Sequence, residues 1–259
     1  MSNEKKCSLR PSRYELSHTQ WARIEDLLPG KASDPGRTAA DNRTFVNAVL
    51  WVLRSGARWS DLPPRYGAYK SVHKRFTRWA ANGVWERVFQ TLIRDRDNEY
   101  LMIDSSIVRA HAQAATGKGG RRNAALGRSR GGLSTKIHLA VDGHGRPIRF
   151  LLTGGHRNDI TQAPALLANL KAKYVLADKG YDSRELVDLI QRQGCKAVIP
   201  PRSCQQPRTY DKVRYRLRNR IERCFARLKQ FRRIATRFDR KPQHFLAFLY
   251  LAAIPLWIN

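Results

Sequence analysis

Over the first 95 residues, apolar positions recur in short helical stripes separated by polar breaks. Trp21, Ile24, Leu27 and Leu28 follow Ser17, with Gln20 three residues beyond the serine. That is a capping box, and it predicts a helix over residues 15–29 that Pro29-Gly30 ends. Asp41 precedes a stronger stripe of Phe45, Val46, Val49, Leu50 and Leu53, closed by Gly56. After a turn-rich connector, RWSDLPPRYG, Ser71 opens a third helix ending at Gly83. It turns Val72, Phe76 and Trp79 inward and leaves His73, Lys74, Arg75 and Arg78 largely outside. A fourth helix runs from Val84 to Ile93. The pattern predicts a small all-helical domain over residues 1–95, compatible with a helix-turn-helix-like module in which Lys74, Arg75 and Arg78 meet DNA. The plainer alternative is a helical bundle with a solvated basic face.

Past the acidic tract RDRDNE (94–99) the period shortens to that of strands. Tyr100 to Ile103 reads as a strand ending at Asp104, and Ser134 to Val141 as another. Asp142-Gly143-His144-Gly145 then makes a tight turn into a third, Ile148 to Leu152. Thr161 to Leu170 is helical, Tyr174 to Ala177 is a buried strand ending at Asp178, and Ser183 caps a helix to Gln193 that Gly194 stops. Ala197 to Ile199 is a last strand, halted by Pro200-Pro201, before a long basic helix. The order is that of an α/β domain with an antiparallel opening and parallel additions, spanning 96–259. Its closing apolar run, Phe245 to Ile258, holds 14 residues including Pro255; it is too short for a bilayer and predicts a buried helix. From Gly117 to Lys136 there are six basic residues and no acid, which predicts a mobile loop that orders on nucleic acid.

Charge sharpens this picture. The 259 residues hold 49 Lys and Arg against 21 Asp and Glu, a net charge of +28, so a polyanion is the expected partner. A ribosomal protein shares such a charge, but rarely with this length, six Trp and a 42% apolar fraction. Cys7, Cys195, Cys204 and Cys224 form no CxxC pair and have no His at zinc-finger spacing. They read as reduced packing thiols of a cytoplasmic protein. The opening MSNEKKCSLR has no apolar segment and so is not a signal peptide.

Acids are scarce past residue 100, and the ten present can be sorted. Asp142 lies in the hairpin turn and Asp159 reads as a helix cap. Asp182, Glu185 and Asp188 surround the Ser183 helix, while Asp211 and Asp239 flank the last basic stretch. Asp104 and Asp178 remain at strand ends, where open sheets build sites. Glu222 is the only acid between Lys212 and Arg237, among eleven Lys and Arg. Either Asp alone is as well explained as a turn former, and Glu222 as a salt-bridge partner. Yet Tyr215, Arg218, Glu222 and Lys229 fall within roughly a 60° stripe of one helix. Ile221, Phe225 and Leu228 form the stripe to be buried. Three converging carboxylates repel one another unless a cation relieves them. Mg²⁺, as two ions about 3.5–4 Å apart, is the natural choice for phosphate chemistry.

These blocks resemble the DDE transposases of bacterial insertion sequences, in the group whose type member is numbered five, with a ribonuclease-H-like catalytic domain. Tyr215, Arg218, Glu222 and Lys229 match that family's last signature. IDSSIVRAH around Asp104 and ADKGYDS around Asp178 match its two Asp blocks, and ELSHTQWARIEDLLP with RWSDLP is similar to its helical N-terminal part. The resemblance implies a mixed sheet flanked by helices. Asp104, Asp178 and Glu222 would be its catalytic and metal-binding residues, for two Mg²⁺ ions with Mn²⁺ able to substitute. It implies Arg218, Lys229 and Tyr215 as DNA contacts. Lys136 and Lys179 are further phosphate candidates, and His111 is set aside because a lone His is more often structural. The expected partner is double-stranded DNA (terminal inverted repeats and target), bound by at least a dimer. The rivals are a nuclease without strand transfer and a non-catalytic DNA-binding derivative.

Overall fold

The computed structural model describes residues 14–34, 38–39, 41–116, 125–129, 131–202 and 209–258. Cys7 and Cys204 lie outside them, as do 117–124 and Arg130 of the expected loop.

Capping residues set the helical N-terminal part as the sequence predicts. The Ser17 box opens α1 (His18–Ala22), which is shorter than expected, its line continuing as a 3-10 turn at Glu25–Leu27. The Asp41 carboxylate accepts from Thr44 N at 2.8 Å to start α2 (Asn42–Ser55). Gly56 ends α2 at φ 72°, the left-handed conformation that favours glycine. α3 (Tyr69–Ala81) starts two residues before Ser71, and Gly83 begins α4 (Val84–Leu92).

The sheet explains how distant acids meet. β1 (Tyr100–Ala110) pairs antiparallel with β3 (Gly132–Asp142), and β3 pairs with β4 (Pro147–Gly154) through the 142–145 turn. After α5 (Ala163–Leu167), β5 (Tyr174–Leu176) runs parallel to the start of β1. After α6 (Arg184–Arg192), β6 (Lys196–Val198) runs parallel to β5. Two short strands complete the sheet. β2 (Gly127–Ser129) pairs with β3, and β7 (Thr236–Arg237) pairs with the far end of β1. This is the mixed sheet that the resemblance implies, with helices packed on it.

Two expectations are corrected here. β1 does not stop at Asp104; it continues to Ala110, because β3 supplies ladder partners through Arg109↔Ser134. The glycine-rich stretch is not all loop, since Gly127–Ser129 and everything from Gly132 onward are held in the sheet.

The basic helix is three pieces: α7 (Lys212–Tyr215), a 3-10 turn at Arg216–Arg218, and α8 (Asn219–Lys229). β1 is paired on this edge by β5 at residues 100–102 and by β7 at 109–110, and α8 packs against the strand. Ile221, Phe225, Leu228 and Cys224 are its buried stripe. Burial pushes the Cys224 thiol up to about 12, which fits a packing role.

The 142–145 turn pins the start of α8. The fully buried Asp142 carboxylate accepts from His144 N at 3.0 Å, Arg146 N at 2.9 Å and Arg146 Nε at 2.9 Å. Gly145 is at φ 77°, and a Cβ there would meet Arg220 Cβ at 3.0 Å and Arg220 O at 3.1 Å. Gly145→Ala is expected to cost about 1–3 kcal/mol, part left-handed strain and part crowding of α8. Urea unfolding measures that cost.

α9 (Arg232–Ala235) leads to β7, and α10 (Pro242–Ile258) closes the chain. α10 is apolar all round because it is enclosed on several sides. Phe248 stacks on Phe76 of α3 at 4.6 Å, Tyr250 lies 5.1 Å from Phe89 of α4, and Trp257 Nε1 donates to Pro147 O at 2.8 Å. One buried cluster therefore runs from α2–α4 through α10 into the sheet. Among the described residues, no helix is long and apolar enough to cross a membrane.

Candidate active site

The strand pleat sorts β1 onto two faces. Asp104 and Ser106 face α8, while Ser105 lies beside His138 of β3 on the opposite face. Arg218 Nη1 reaches Asp104 Oδ2 at 3.2 Å, and its Nη2 donates to Glu222 Oε1 one turn further along. One guanidinium, 114 residues along the chain from Asp104, thus joins two of the three predicted carboxylates. Lys229 Nζ donates to Ser106 Oγ at 2.6 Å, fixing the far end of α8 on the same strand.

Asp178 follows β5 and caps the 3-10 turn Lys179–Tyr181, accepting from Gly180 N at 2.9 Å. Its turn-forming and site-forming readings are therefore compatible. A Cβ on Gly180 would meet Asp178 Oδ1 at 2.9 Å, so the glycine leaves the carboxylate its position.

The Asp104 carboxyl is pushed up to about 6, first by burial. The Ser105 N–H and Arg218 oppose that rise, while the charges of Asp178 and Glu222 add to it. All three acids thus act on one electrostatic centre. Among the described residues, no three acid, His or Cys side chains already stand close enough to hold a metal ion. The donors are nonetheless hard oxygens, mutually repelling and partly neutralised by Arg218, and that set suits a hard divalent cation.

The raised pKa gives a stability prediction. An acid raised on folding binds its proton more tightly in the native state, so stability falls as pH rises from about 4 to about 6. The ionised Asp104 side chain is 19% exposed and destabilises the fold above that window. Asp104→Asn is therefore expected to gain about 1–3 kcal/mol near pH 8 without metal, and nothing below pH about 4. Thermal melts across pH test the sign, and Mg²⁺ is expected to narrow the gap by stabilising only the unsubstituted protein.

The basic candidates divide. Lys179, Lys229, Lys74 and Arg78 are exposed, while Arg218 and Tyr215 are half-buried with the guanidinium 5.7 Å from the ring centre. Lys136 is corrected. It is 8% exposed, and its ammonium is held by Asp159 Oδ1 at 2.8 Å and Arg157 O at 2.6 Å, which leaves little charge for phosphate. Arg75 is likewise turned inward, bonded to Asn42 and packed 4.3 Å from the centre of the Phe45 ring. Asp159, read as a cap, instead pairs with Lys136; the cap position belongs to Asn158.

Sequence reasoning missed Ser106 and Tyr181. Tyr181 is 1% exposed on the turn after Asp178, and burial raises its pKa, as do the charges of Asp159, Asp104 and Asp178. An apolar-walled tyrosine behind two acids was legible as DKGY. The exposed Arg216, Arg223 and Arg227 join the Glu222 helix as a basic rim.

Comparison with known proteins gives the family. Residues 96–258 match a family described as transposase DDE domain, and residues 16–89 match one described as transposase of the IS4/5 family. The chain belongs to the DDE-domain transposases. A transposase named for insertion sequence element IS6501 of Brucella ovis is 35% identical over 131 residues, covering 49% of this chain and 100% of the relative. Protein y4sN of Sinorhizobium fredii is 46% identical over 109 residues, covering 41% of this chain and 87% of the relative. Among solved structures, a piggyBac transposase synaptic complex with hairpin DNA is similar at a TM-score of 0.38 and 15% identity, over 73% of this chain and 48% of that one.

Proposed function

We propose that this transposase binds the terminal inverted repeats of its insertion sequence, hydrolyses phosphodiester bonds there, and joins the freed 3′-hydroxyl to target DNA. The observation that carries the reading is Arg218 linking Asp104 and Glu222 across the fold, beside a third acid that shares their field. Asp104, Asp178 and Glu222 would hold Mg²⁺, or Mn²⁺ in its place. The metal would supply charge neutralisation at the phosphate and acidify a water or 3′-hydroxyl nucleophile. Arg218, once drawn to phosphate, would orient the scissile group, and Lys229 and Tyr215 would fix the strand beside it. Lys179 lies next to Asp178 and would add a further phosphate contact, while Lys74 and Arg78 would meet DNA from the helical part. Holding two transposon ends together calls for at least a dimer on DNA. The working compartment is the cytoplasm, at the nucleoid when DNA is bound.

Incubating pre-cut transposon ends with a supercoiled plasmid and Mg²⁺ separates the readings. Joined products are the expected result. Cleavage of uncut ends without any joining would leave a nuclease, and metal-independent binding alone would leave a non-catalytic DNA-binding protein.

A further inference from the structure

A cavity of about 420 Å³ opens away from the acids, at the seam between the helical part and the sheet. Arg58, Trp59 and Ser60 line it from the connector after α2, and His111, Arg233 and Phe238 line it from the far end of β1 and the α9–β7 segment. Ala110, the last residue of β1, is six positions past Asp104, roughly 20 Å at about 3.3 Å per residue. The cavity is therefore separate from the catalytic centre but on the same strand.

Its chemistry is specific. Arg233 is only 6% exposed, with its guanidinium 5.7 Å from the Trp59 ring centre, 5.9 Å from Phe238 and 5.3 Å from Phe248. Nη1 donates to Ala57 O at 2.9 Å, and Nη2 reaches Asp239 at 3.4 Å. Nε, buried, has no partner among the described residues. Asp239 Oδ2 is likewise buried without a partner among the described residues, so the pair is loosely closed, and an anion would have to draw Arg233 toward the cavity. Arg58 stands exposed at the rim with a second positive charge. The half-open wall is aromatic: His111 and Phe238 have ring centres 5.1 Å apart at 34°, and neither is fully buried. Cations alone would suit any phosphate, and rings alone any apolar ligand. Together, in a volume suited to a small ligand, they suit a flat base with its phosphate attached.

We infer that this cavity binds a single unpaired nucleotide of the DNA strand engaged by the active site. The base would lie against Phe238 and His111, with its phosphate toward Arg233 and Arg58. The inference rests on the DNA reading proposed above. Lys229, anchored to Ser106, marks the route between the two sites along β1. Their separation corresponds to about six base pairs at roughly 3.4 Å per step, so the bound nucleotide would lie about that far from the scissile bond.

The test uses the full chain and a duplex with a single-stranded tail carrying the fluorescent base 2-aminopurine at successive positions. Quenching confined to one or two neighbouring tail positions is expected. Phe238→Ala should abolish that quenching and weaken tail binding about tenfold, the scale of one lost base–aromatic stack. Arg58→Glu, an exposed substitution that spares the core, should weaken tail binding without changing the melting temperature. Both variants should bind a blunt duplex within about threefold of the parent, as judged by anisotropy. Uniform fluorescence along the tail, or quenching unchanged in both variants, would overturn the inference while leaving the DNA reading intact. No anisotropy rise with either DNA would overturn both.

Discussion

Asp104→Asn, Asp178→Asn and Glu222→Gln proteins are each expected to lose strand cleavage by on the order of 10³-fold or more while binding transposon-end DNA within about threefold of the parent. The split follows from where these groups stand. Each is a hard anionic oxygen donor whose replacement removes a charge but little volume. The fold is held elsewhere, by the apolar cluster that joins α10 to the sheet and by the Asp142 turn. On the proposed reading DNA affinity would come from the surrounding cations, which the substitutions do not touch, so it should keep a steep salt dependence. The three losses should not add, since removing any one donor already disables a set that works as a unit. Cleavage of labelled end DNA beside anisotropy on the same preparations measures both quantities. Full cleavage by any one variant removes that residue from the chemistry.

Much of this site was legible in the sequence because its parts obey local rules. Ser17, Asp41 and Ser183 cap the helices they were read to cap, and the stripe of Ile221, Phe225 and Leu228 is buried as its spacing requires. Scarcity helped as well, for past residue 100 there are only ten acids, and Asp104, Asp178 and Glu222 stood out together though none did singly. What stayed hidden depends on partners distant in sequence. SSIVRA after Asp104 carries too little apolar alternation to read as strand, and it is strand because β3 pairs with it. Lys136 read as a phosphate contact because Asp159, 23 positions on, is not a visible neighbour until β3 and the turn after β4 are folded. β7 is two residues long, below any periodic signal, yet it secures the end of β1 and carries Phe238, next in the chain, to the wall of the Arg233 cavity.

The Arg218 bridge is also expected to govern how the site responds to metal. Its guanidinium lies between Asp104 and Glu222, an electrostatic position that a divalent cation would take in the proposed reaction. On the proposed function, metal and Arg218 would compete, and a phosphate drawing Arg218 away would favour metal entry. Arg218→Gln is expected to bind Mn²⁺ roughly tenfold more tightly without DNA. A charge at contact distance is worth a few kcal/mol at an effective dielectric near 20, and solvent screening reduces that. Screening matters because the Glu222 side chain is 49% exposed. The same variant should cleave end DNA about 10²-fold more slowly, having lost a donor to the scissile phosphate. DNA should tighten Mn²⁺ binding in the parent more than in the variant, by linkage through the freed arginine. The gain has a pH limit: Arg218 lowers the Asp104 pKa, so its removal drives that carboxyl above about 6, and protons then compete with the metal in mildly acidic buffer. Electron paramagnetic resonance of free Mn²⁺, titrated at pH 8 and at pH 6 with and without DNA, reads these differences directly. Weaker Mn²⁺ binding by the variant at pH 8 would mean that Arg218 shapes the acid set for metal rather than standing in its place.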